Sequence, residues 1–219
     1  MMFQNIDWAN LQNPHLFING DCMEYMKTMP DKYVDLCICD PPYGININMN
    51  MGRKKGQEKK HKEKGWDNAP PNEAYFEELK RVSKNQIIWG GNYFPLPLTK
   101  AWIFWDKLVP EGVSYADGEL AWTSFDKTLR KIVVPYSGFI GTEGKIHPTQ
   151  KPVALYKRLL MDYANKGDKI LDTHVGSASS LIACYDMGFD YIGFEIDEEY
   201  YNAAQKRIAE NKAQVRMML

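Results

Sequence analysis

The chain has 219 residues, of which 44% are hydrophobic and 25% are charged, and its formal net charge is −1. This is enough apolar material for one globular domain, and the near-zero charge excludes a generally basic surface, so any nucleic-acid contact must be local. No apolar run reaches the roughly 18 residues of a membrane-spanning helix, and the pattern of a secretory signal is missing, so we expect a cytoplasmic protein.

The N-terminal half of the chain predicts short buried strands that are separated by helices. A short helix is expected between the first two strands. Asn72 fits the cap of a second helix, because Tyr75, Leu79 and Val82 follow it at helical spacing. The strands are predicted at 15–18, 34–39, 86–89 and 101–105.

The C-terminal half continues this alternation. Strands are predicted at 119–124 and 131–134, followed by an amphipathic helix over 153–164. A β-α-β unit then comprises a strand at 169–172, a helix at 178–187 stopped by Gly188, and a strand at 191–195. A last helix begins at Asp197 and is expected to turn Tyr201, Ala204 and Ile208 inward. Strands that alternate with helices predict an α/β fold with a mostly parallel sheet and helices on both faces.

The four cysteines are Cys22, Cys37, Cys39 and Cys184. None of them forms a CxxC pair, and Cys37 and Cys39 lie in an apolar run. We therefore expect reduced, buried packing residues, and we expect no metal site.

A candidate cofactor site lies in the C-terminal third. Asp172 closes one predicted strand, and a loop of small residues follows it over 173–180. Glu195 closes the next strand 23 positions later, where a carboxylate is well placed to accept hydrogen bonds from ribose hydroxyls. The loop has one glycine, Gly176, rather than the three of a dinucleotide site, which favours a nucleoside cofactor without a pyrophosphate. A tight turn capped by Asp172 is an equally good interpretation of this loop alone.

The segment Asp40-Pro41-Pro42-Tyr43 directly follows the apolar strand over 34–39. Two successive prolines fix the backbone and remove two N–H donors, which leaves carbonyl acceptors between a carboxylate and an aromatic ring. Such a set suits an amino group on a flat ring, because Asp40 and the Pro41 carbonyl can accept its two hydrogens while Tyr43 stacks on the ring. A proline turn with a capping Asp is the purely structural alternative.

Taken together, these segments resemble the amino-group DNA methyltransferases that carry a (D/S/N)PPY motif. The similarity is to short phage-type members with the β-like permuted order, in which the catalytic motif precedes the cofactor loop, and it covers nearly the whole chain. It implies a Rossmann-like S-adenosylmethionine-dependent methyltransferase fold in one domain over 1–219. The segments that carry it are 18–24, 40–45, 89–94, 102–107, 119–124 and His147-Pro148-Thr149-Gln150-Lys151-Pro152.

The cofactor loop departs from the family's usual D-P-F-x-G-S-G-T. Asp172, Gly176 and Ser177 are kept, whereas His174 stands for Phe and Ala178 for Gly. The added methyl group of Ala178 is expected to weaken cofactor binding without abolishing it. His174 is interpreted as a packing or hydrogen-bonding substitute.

The resemblance also implies roles for individual residues. Asp40, Pro41, Pro42 and Tyr43 are the expected catalytic residues. Glu195 is expected to bind the ribose of S-adenosylmethionine, Ile196 to flank its adenine ring and Asp21 to meet the amino group of that ring. The remaining expected cofactor-binding residues are Asp40, Thr149, Lys151, Asp172, His174, Gly176, Ser177 and Ala178.

The expected reaction is site-specific methylation of adenine N6 in a base flipped out of double-stranded DNA. Cytosine-specific members usually begin the motif with Ser, so Asp40 favours adenine over the alternative, cytosine N4. A catalytically impaired DNA-binding homologue is the alternative from another class. The setting implied is DNA methylation or restriction–modification in a prokaryotic or phage-infected cell, and a homodimer is one option for the oligomeric state.

A basic loop over 44–68 directly follows the catalytic motif. Lys and Arg position a duplex through its phosphates without reading its sequence, so this loop is a candidate DNA contact, although a charge run is often only a solvated surface. The stretch over 108–146 is the candidate target-recognition insertion. The basic residues expected to bind DNA are Arg53, Lys54, Lys55, Lys59 and Lys60.

Overall fold

The computed structural model describes residues 5–45, 69–112, 116–136, 146–147 and 149–218. In these parts the chain forms an eight-stranded sheet with the strand order β1-β8-β7-β2-β3-β5-β4-β6. The strands are β1 (His15–Asn19), β2 (Val34–Cys39), β3 (Ser83–Trp89), β4 (Ile103–Asp106), β5 (Gly118–Thr123), β6 (Arg130–Val133), β7 (Lys169–Asp172) and β8 (Asp190–Glu195).

The sheet is parallel except at one strand. β5 pairs antiparallel with both β3 and β4, whereas the other neighbouring pairs are parallel. The first residue of β5 therefore lies at the same edge of the sheet as the last residues of the parallel strands. That edge is where open α/β sheets bind ligands.

Five α-helices accompany the sheet in the described residues. Asn72 caps the second helix through a side-chain bond to the backbone N–H of Tyr75, as the sequence predicts. The helices are α1 (Cys22–Met26), α2 (Glu73–Val82), α3 (Val153–Tyr163), α4 (Ser179–Met187) and α5 (Glu198–Met218), with 3-10 turns at Trp8–Asn10 and Gly91–Tyr93.

Apolar side chains cover both faces of the sheet. On one face, Leu155 of α3, Leu181 of α4 and Ile208 of α5 pack in one buried cluster. On the other face, Met26 of α1 and Leu79 of α2 belong to a second cluster. The predicted α/β architecture with helices on both faces is confirmed.

Local details differ from the sequence prediction at two places. β3 begins at Ser83 instead of 86, because α2 runs into the strand without a loop and Ser83 pairs with Val34. In α5, Tyr200 is buried, whereas Tyr201 is only partly covered and packs on Phe17 at a ring-centroid distance of 4.6 Å.

All four cysteines are free, buried thiols, as expected of packing residues. Burial raises the pKa of Cys22 and Cys184. Among the residues that the structure describes, no helix combines the length and the apolar character needed to cross a membrane.

Candidate active site

The carboxyl ends of three adjacent parallel strands bring three acidic residues to one edge of the sheet. Asp40 directly follows β2, Asp172 ends β7 and Glu195 ends β8. Glu119 reaches the same edge from the opposite direction, because it is the second residue of the reversed strand β5. A single edge of the sheet thus collects residues that are far apart in sequence.

A cleft of about 260 Å³ opens at this edge. It is bounded by the Asp-Pro-Pro-Tyr segment, by the loop after β7 and by the end of β8. Its lining residues are Asp40, Pro41, Pro42, Tyr43, Glu119, His147, Thr149, Gln150, Lys151, Tyr156, His174, Val175, Gly176, Ser177, Glu195, Ile196, Asp197 and Tyr200.

The Asp-Pro-Pro-Tyr segment is held in place by contacts with the turn after β3. The Tyr43 hydroxyl donates a hydrogen bond of 2.6 Å to Oδ1 of Asp40, and the Tyr43 ring stacks on Tyr93 with a centroid distance of 5.0 Å. Gly90 has a φ of +66°, and a Cβ there would lie 2.2 Å from Cε1 of Tyr43. Both the backbone conformation and the close approach of Tyr43 therefore require glycine at position 90.

Lys151 makes the closest charged contact of the cleft. Its Nζ lies 2.5 Å from Oδ2 of Asp40 and 2.9 Å from Oε2 of Glu119. Its side chain is only 3% exposed. The ammonium also lies 5.3 Å from the ring centroid of Trp89. The segment that carries His147 and Lys151 and the Asp-Pro-Pro-Tyr segment therefore meet at a buried ion pair.

The charges of this group influence one another's pKa values. Burial lowers the pKa of Lys151, but the carboxylates of Asp40 and Glu119 outweigh that effect and raise it. Burial raises the pKa of Asp40, and the Lys151 ammonium offsets this only in part. Burial likewise acts to raise the pKa of Glu119, but Lys151 and Lys107 overcome it and lower that pKa to about 2. Lys151 and Glu119 are therefore both charged at neutral pH.

At the other end of the cleft, Glu195 ties the loop after β7 to the end of β8. Its Oε2 accepts a 2.8 Å hydrogen bond from the Gly176 N–H, and its Oε1 accepts one of 2.9 Å from the Asp197 N–H. Burial raises the pKa of Glu195. Each carboxylate oxygen keeps a further lone pair, so hydroxyl donors of a ligand can still be accepted.

Asp172 lies behind the loop rather than on the cleft wall. It is 2% exposed and accepts hydrogen bonds from the Ser180 hydroxyl and the His174 N–H. Burial raises its pKa to about 7. Ala178, also buried, adopts a left-handed conformation with a φ of +63° immediately before α4. Both residues are therefore buried and do not line the cleft.

His174 lines the cleft and is linked through Thr173 to Tyr75 of α2. Its Nδ1 lies 3.0 Å from the Thr173 hydroxyl, which in turn lies 2.6 Å from the Tyr75 hydroxyl. Burial lowers the pKa of His174 to about 4. The imidazole is therefore neutral at physiological pH, which agrees with its interpretation as a packing and hydrogen-bonding substitute for Phe.

The segment ahead of α3 forms the remaining wall. The Thr149 hydroxyl lies 3.1 Å from Nδ1 of His147. The ring centroids of His147 and Tyr200 are 4.4 Å apart in an edge-to-face arrangement. The Gln150 side chain accepts a 3.0 Å hydrogen bond from the Ile146 N–H. These contacts fix the wall that carries Lys151.

Most of the residues expected in the site come together in the cleft. Among the expected cofactor-binding residues, Asp21, Asp172 and Ala178 are not part of the lining. Asp21 instead caps α1 through a 2.9 Å bond from the Met23 N–H. The expected DNA-binding residues Arg53, Lys54, Lys55, Lys59 and Lys60 lie outside the described residues.

The candidate recognition insertion over 108–146 contains two strands of the central sheet. β5 and β6 both fall within it, and residues 113–115 and 137–145 lie outside the described part. The sheet therefore uses this stretch to build the cleft.

Several cleft residues had no assigned role in the sequence prediction. Glu119 begins a predicted strand and one of the segments that carry the resemblance, but no role was assigned to it, and its position in the cleft depends on the reversed direction of that strand. His147 and Gln150 lie in the segment on which the resemblance rests. The other lining residues without a predicted role are Val175, Tyr156, Asp197 and Tyr200.

Comparisons by sequence find methylases. The profile of an N6/N4-type methyltransferase family, described as DNA methylase, matches residues 97–206, which is half of the chain. The putative methylase YubD of Escherichia coli (strain K12) is 27% identical over 208 residues, covering 88% of this chain and 89% of that protein. The type II methyltransferase M.HinfI of Haemophilus influenzae is 26% identical over 264 residues, covering 97% of this chain and 72% of that protein.

Comparisons by structure find the same fold. The M1.HpyAVI–SAM complex superposes with a TM-score of 0.59 at 20% identity, covering 88% of this chain and 98% of that one. The cytosine-N4-specific PvuII DNA methyltransferase gives 0.56 at 13% identity, with 91% of both chains covered. TTHA0409 of Thermus thermophilus, a putative DNA modification methylase complexed with S-adenosyl-L-methionine, gives 0.52 at 20% identity, covering 90% and 95%. The predicted methyltransferase fold is confirmed.

Proposed function

Since this chain belongs to the N6/N4-type DNA methylase family, we propose that it methylates N6 of adenine in double-stranded DNA, with S-adenosylmethionine as the methyl donor. The observation that carries the proposal is the cleft itself. It places Asp40-Pro41-Pro42-Tyr43 at one end and Glu195 at the other, on one edge of a parallel sheet.

The chemistry of the cleft fits S-adenosylmethionine. Glu195 offers carboxylate oxygens for two ribose hydroxyls, and Ile196 and Val175 offer apolar surface for a flat ring. Gly176 and Ser177 carry small side chains beside the space for the methionine part. In the proposed complex the cofactor supplies an electrophilic methyl group on its sulfonium sulfur.

Asp40 and the Pro41 carbonyl are the proposed acceptors for the two hydrogens of the target amino group. The lone pair of an adenine amino group is delocalised into the ring, so holding both hydrogens favours a pyramidal, nucleophilic nitrogen. After transfer the nitrogen carries one surplus proton, and the Asp40 carboxylate is the proposed base that receives it. The rate enhancement of methyl transfer comes from orientation and electrostatics, and no covalent enzyme intermediate is needed.

Tyr43 is the proposed stacking platform for the target base. An amino group inside a duplex cannot reach a cleft of this kind, so the base must be flipped out of the helix. Tyr43 is itself supported by Gly90 and stacked on Tyr93, which fixes the plane on which a base would lie. The proposed basic contacts at 53–60 would hold the duplex at the mouth of the cleft through its phosphates.

The choice of adenine rests on Asp40. Cytosine-specific members of the family usually carry Ser at this position, and a carboxylate is the stronger acceptor for an amino group. Cytosine N4 is the alternative target.

The experiment is a transfer assay with labelled S-adenosylmethionine and mixed-sequence duplex DNA, followed by digestion to nucleosides and mass spectrometry. The proposal expects label in N6-methyladenine. Label in N4-methylcytosine would replace adenine by cytosine, and label that appears only in RNA of the same sequence would overturn the DNA substrate. A complete absence of transfer in a folded protein that binds duplex DNA would support the impaired homologue.

A further inference from the structure

Glu119 belongs to none of the segments to which the proposed mechanism assigns a role, yet it sits at the centre of the charged group. Its Oε1 lies 2.6 Å from Nζ of Lys107, and its Oε2 lies 2.9 Å from Nζ of Lys151. Lys151 in turn contacts Asp40. Four charges of alternating sign therefore run from the end of β4 through β5 to the end of β2.

Lys151 has no donor left for a cofactor in this arrangement. An ammonium has three N–H groups. They face Oδ2 of Asp40 at 2.5 Å, Oε2 of Glu119 at 2.9 Å and the Tyr43 hydroxyl at 3.4 Å. All three acceptors are protein groups, so the geometry assigns Lys151 to the Asp-Pro-Pro-Tyr segment rather than to the cofactor.

The burial of Lys151 explains why two carboxylates are needed. A buried ammonium that loses its partner is strongly destabilised. If Asp40 engages a target amino group and accepts a proton, it ceases to balance the charge on Lys151. Glu119 remains as a second counter-ion, and Lys107 keeps Glu119 itself charged and in place.

We propose that Glu119 and Lys151 are positioning residues for methyl transfer, with Lys151 holding the Asp40 carboxylate and Glu119 holding Lys151. This inference rests on the proposed function, because it assigns Asp40 to the target amino group. Neither residue is proposed to touch the substrate.

Charged and titratable groups surround Lys151 from every neighbouring element. Burial raises the pKa of the Tyr43 and Tyr156 hydroxyls, so both stay neutral at accessible pH. Removal of Glu119 takes away one of the two charges that hold the pKa of Lys151 up. The groups to be considered are Asp40 and Tyr43 after β2, Lys107 after β4, Glu119 on β5, Tyr156 on α3 and Asp172 on β7.

The test compares Glu119→Gln with the wild type. We expect kcat to fall about 10- to 100-fold, as for other small misplacements of a reacting group. The affinity for S-adenosylmethionine should not change. The activity of the variant should also begin to fall at a lower alkaline pH than that of the wild type, because Glu119 no longer helps to raise the pKa of Lys151.

Two further variants control for a structural effect. Glu78→Gln removes a carboxylate of nearly equal side-chain exposure, 23% against 24%, from an ion pair with Arg81 on α2, and it should leave kcat and its pH profile unchanged. Lys107→Met disturbs Glu119 from its other side but removes a cation, so it should not create the alkaline loss. If Glu119→Gln does not fold, Lys151→Arg and Lys151→Met are compared instead. Lys151→Arg keeps the charge and should therefore retain more activity than Lys151→Met.

The outcomes separate this inference from the proposed function. Failure of the wild type to methylate DNA would defeat both. An active wild type with an equally active, folded Glu119→Gln variant would overturn the inference alone. Weaker cofactor binding at unchanged kcat would return Lys151 to the cofactor site, and an alkaline loss in Lys107→Met like that of Glu119→Gln would show local disruption rather than charge.

Discussion

The Nζ of Lys151 lies 2.5 Å from Oδ2 of Asp40, although 111 positions separate the two residues in sequence. Asp40 directly follows β2, and Lys151 lies just before α3, so this pair joins the two segments. The Asp-Pro-Pro-Tyr segment is singled out in the sequence by its residue types, and the segment over 147–152 by the family resemblance. Their contact places the proposed catalytic carboxylate beside a buried cation, while its Oδ1 accepts a hydrogen bond from the Tyr43 hydroxyl.

Replacing Glu195 with Ala should weaken S-adenosylmethionine binding. Hydrogen bonds to a charged acceptor contribute about 1.5–3 kcal/mol each, and the ribose offers two donors. Calorimetric titration measures the effect. Because Glu195 also accepts the Gly176 and Asp197 N–H groups, Glu195→Gln serves as a milder variant that keeps one acceptor. Unchanged affinity in both folded variants would place the ribose elsewhere.

Replacing Ala178 with Gly should stabilise the protein. Ala178 has a φ of +63°. That conformation is unfavourable for a residue with a Cβ by about 1–2 kcal/mol, and the flexibility of glycine in the unfolded chain offsets part of the gain. We expect a net increase of about 1 kcal/mol in the free energy of unfolding, measured by urea denaturation. Ala183→Gly is the matched control, since Ala183 is equally buried but lies inside α4.

The control should lose stability, because glycine is unfavourable in a right-handed helix interior by about 1 kcal/mol. A loss of stability in Ala178→Gly as well would mean that its methyl contacts outweigh the backbone strain.

His174 should make the fold sensitive to acid. Its pKa is lowered from 6.5 to about 4 by burial, so between these values the unfolded chain binds a proton that the folded protein does not. The free energy of unfolding therefore falls as the pH drops from about 6.5 towards 4. Asp172 acts in the opposite direction. Its pKa is raised from 3.8 to about 7, so between these values the folded protein holds a proton that the unfolded chain has released. The free energy of unfolding that Asp172 contributes therefore falls as the pH rises from 3.8 to about 7.

Comparison of the wild type with His174→Phe isolates the imidazole, because Asp172 is present in both. The stability of the variant relative to the wild type should increase by about 1–3 kcal/mol between pH 6.5 and pH 4. Denaturation curves at several pH values provide the measurement. Parallel pH dependence in the two proteins would show that His174 titrates normally in the fold.

Neutralising Lys54, Lys55, Lys59 and Lys60 together should weaken DNA binding for all sequences alike. These residues lie outside the described part of the structure, and the prediction rests on their charge and on their position after the catalytic motif. Each lost phosphate contact should reduce the slope of log K against log salt by about 0.9. Binding to cognate and scrambled duplexes across a salt series is the measurement. Equal slopes would make the segment only a solvated surface, and a loss confined to the cognate duplex would make it a reader of bases.

The order and type of the central elements could be predicted because their apolar patterns are local. β2 is an apolar run interrupted only by Asp35, and its other residues are buried in the sheet. β7 and β8 flank a helix with a glycine stop. The residues that close these strands, Asp40 and Glu195, were therefore placed at the correct edge by sequence alone.

The rest of the site depends on relations that no local pattern contains. Glu119 reaches the cleft only because β5 is antiparallel to its neighbours, and the sequence carries no signal for strand direction there. The buried position of Asp172 follows from the way the loop folds over it. Tyr200 and Tyr201 are adjacent and point about 100° apart around α5, so the orientation of the helix about its axis decides which one faces the cleft.

The most direct test of the account is the methyl-transfer rate of Asp40→Ala at saturating S-adenosylmethionine, with cofactor affinity measured on the same preparation. Asp40→Asn accompanies it as the variant of nearly equal volume. We expect both variants to lose about 100-fold or more in kcat, while the cofactor affinity stays close to that of the wild type. A folded Asp40→Ala variant that transfers methyl groups to DNA at nearly the wild-type rate would contradict it.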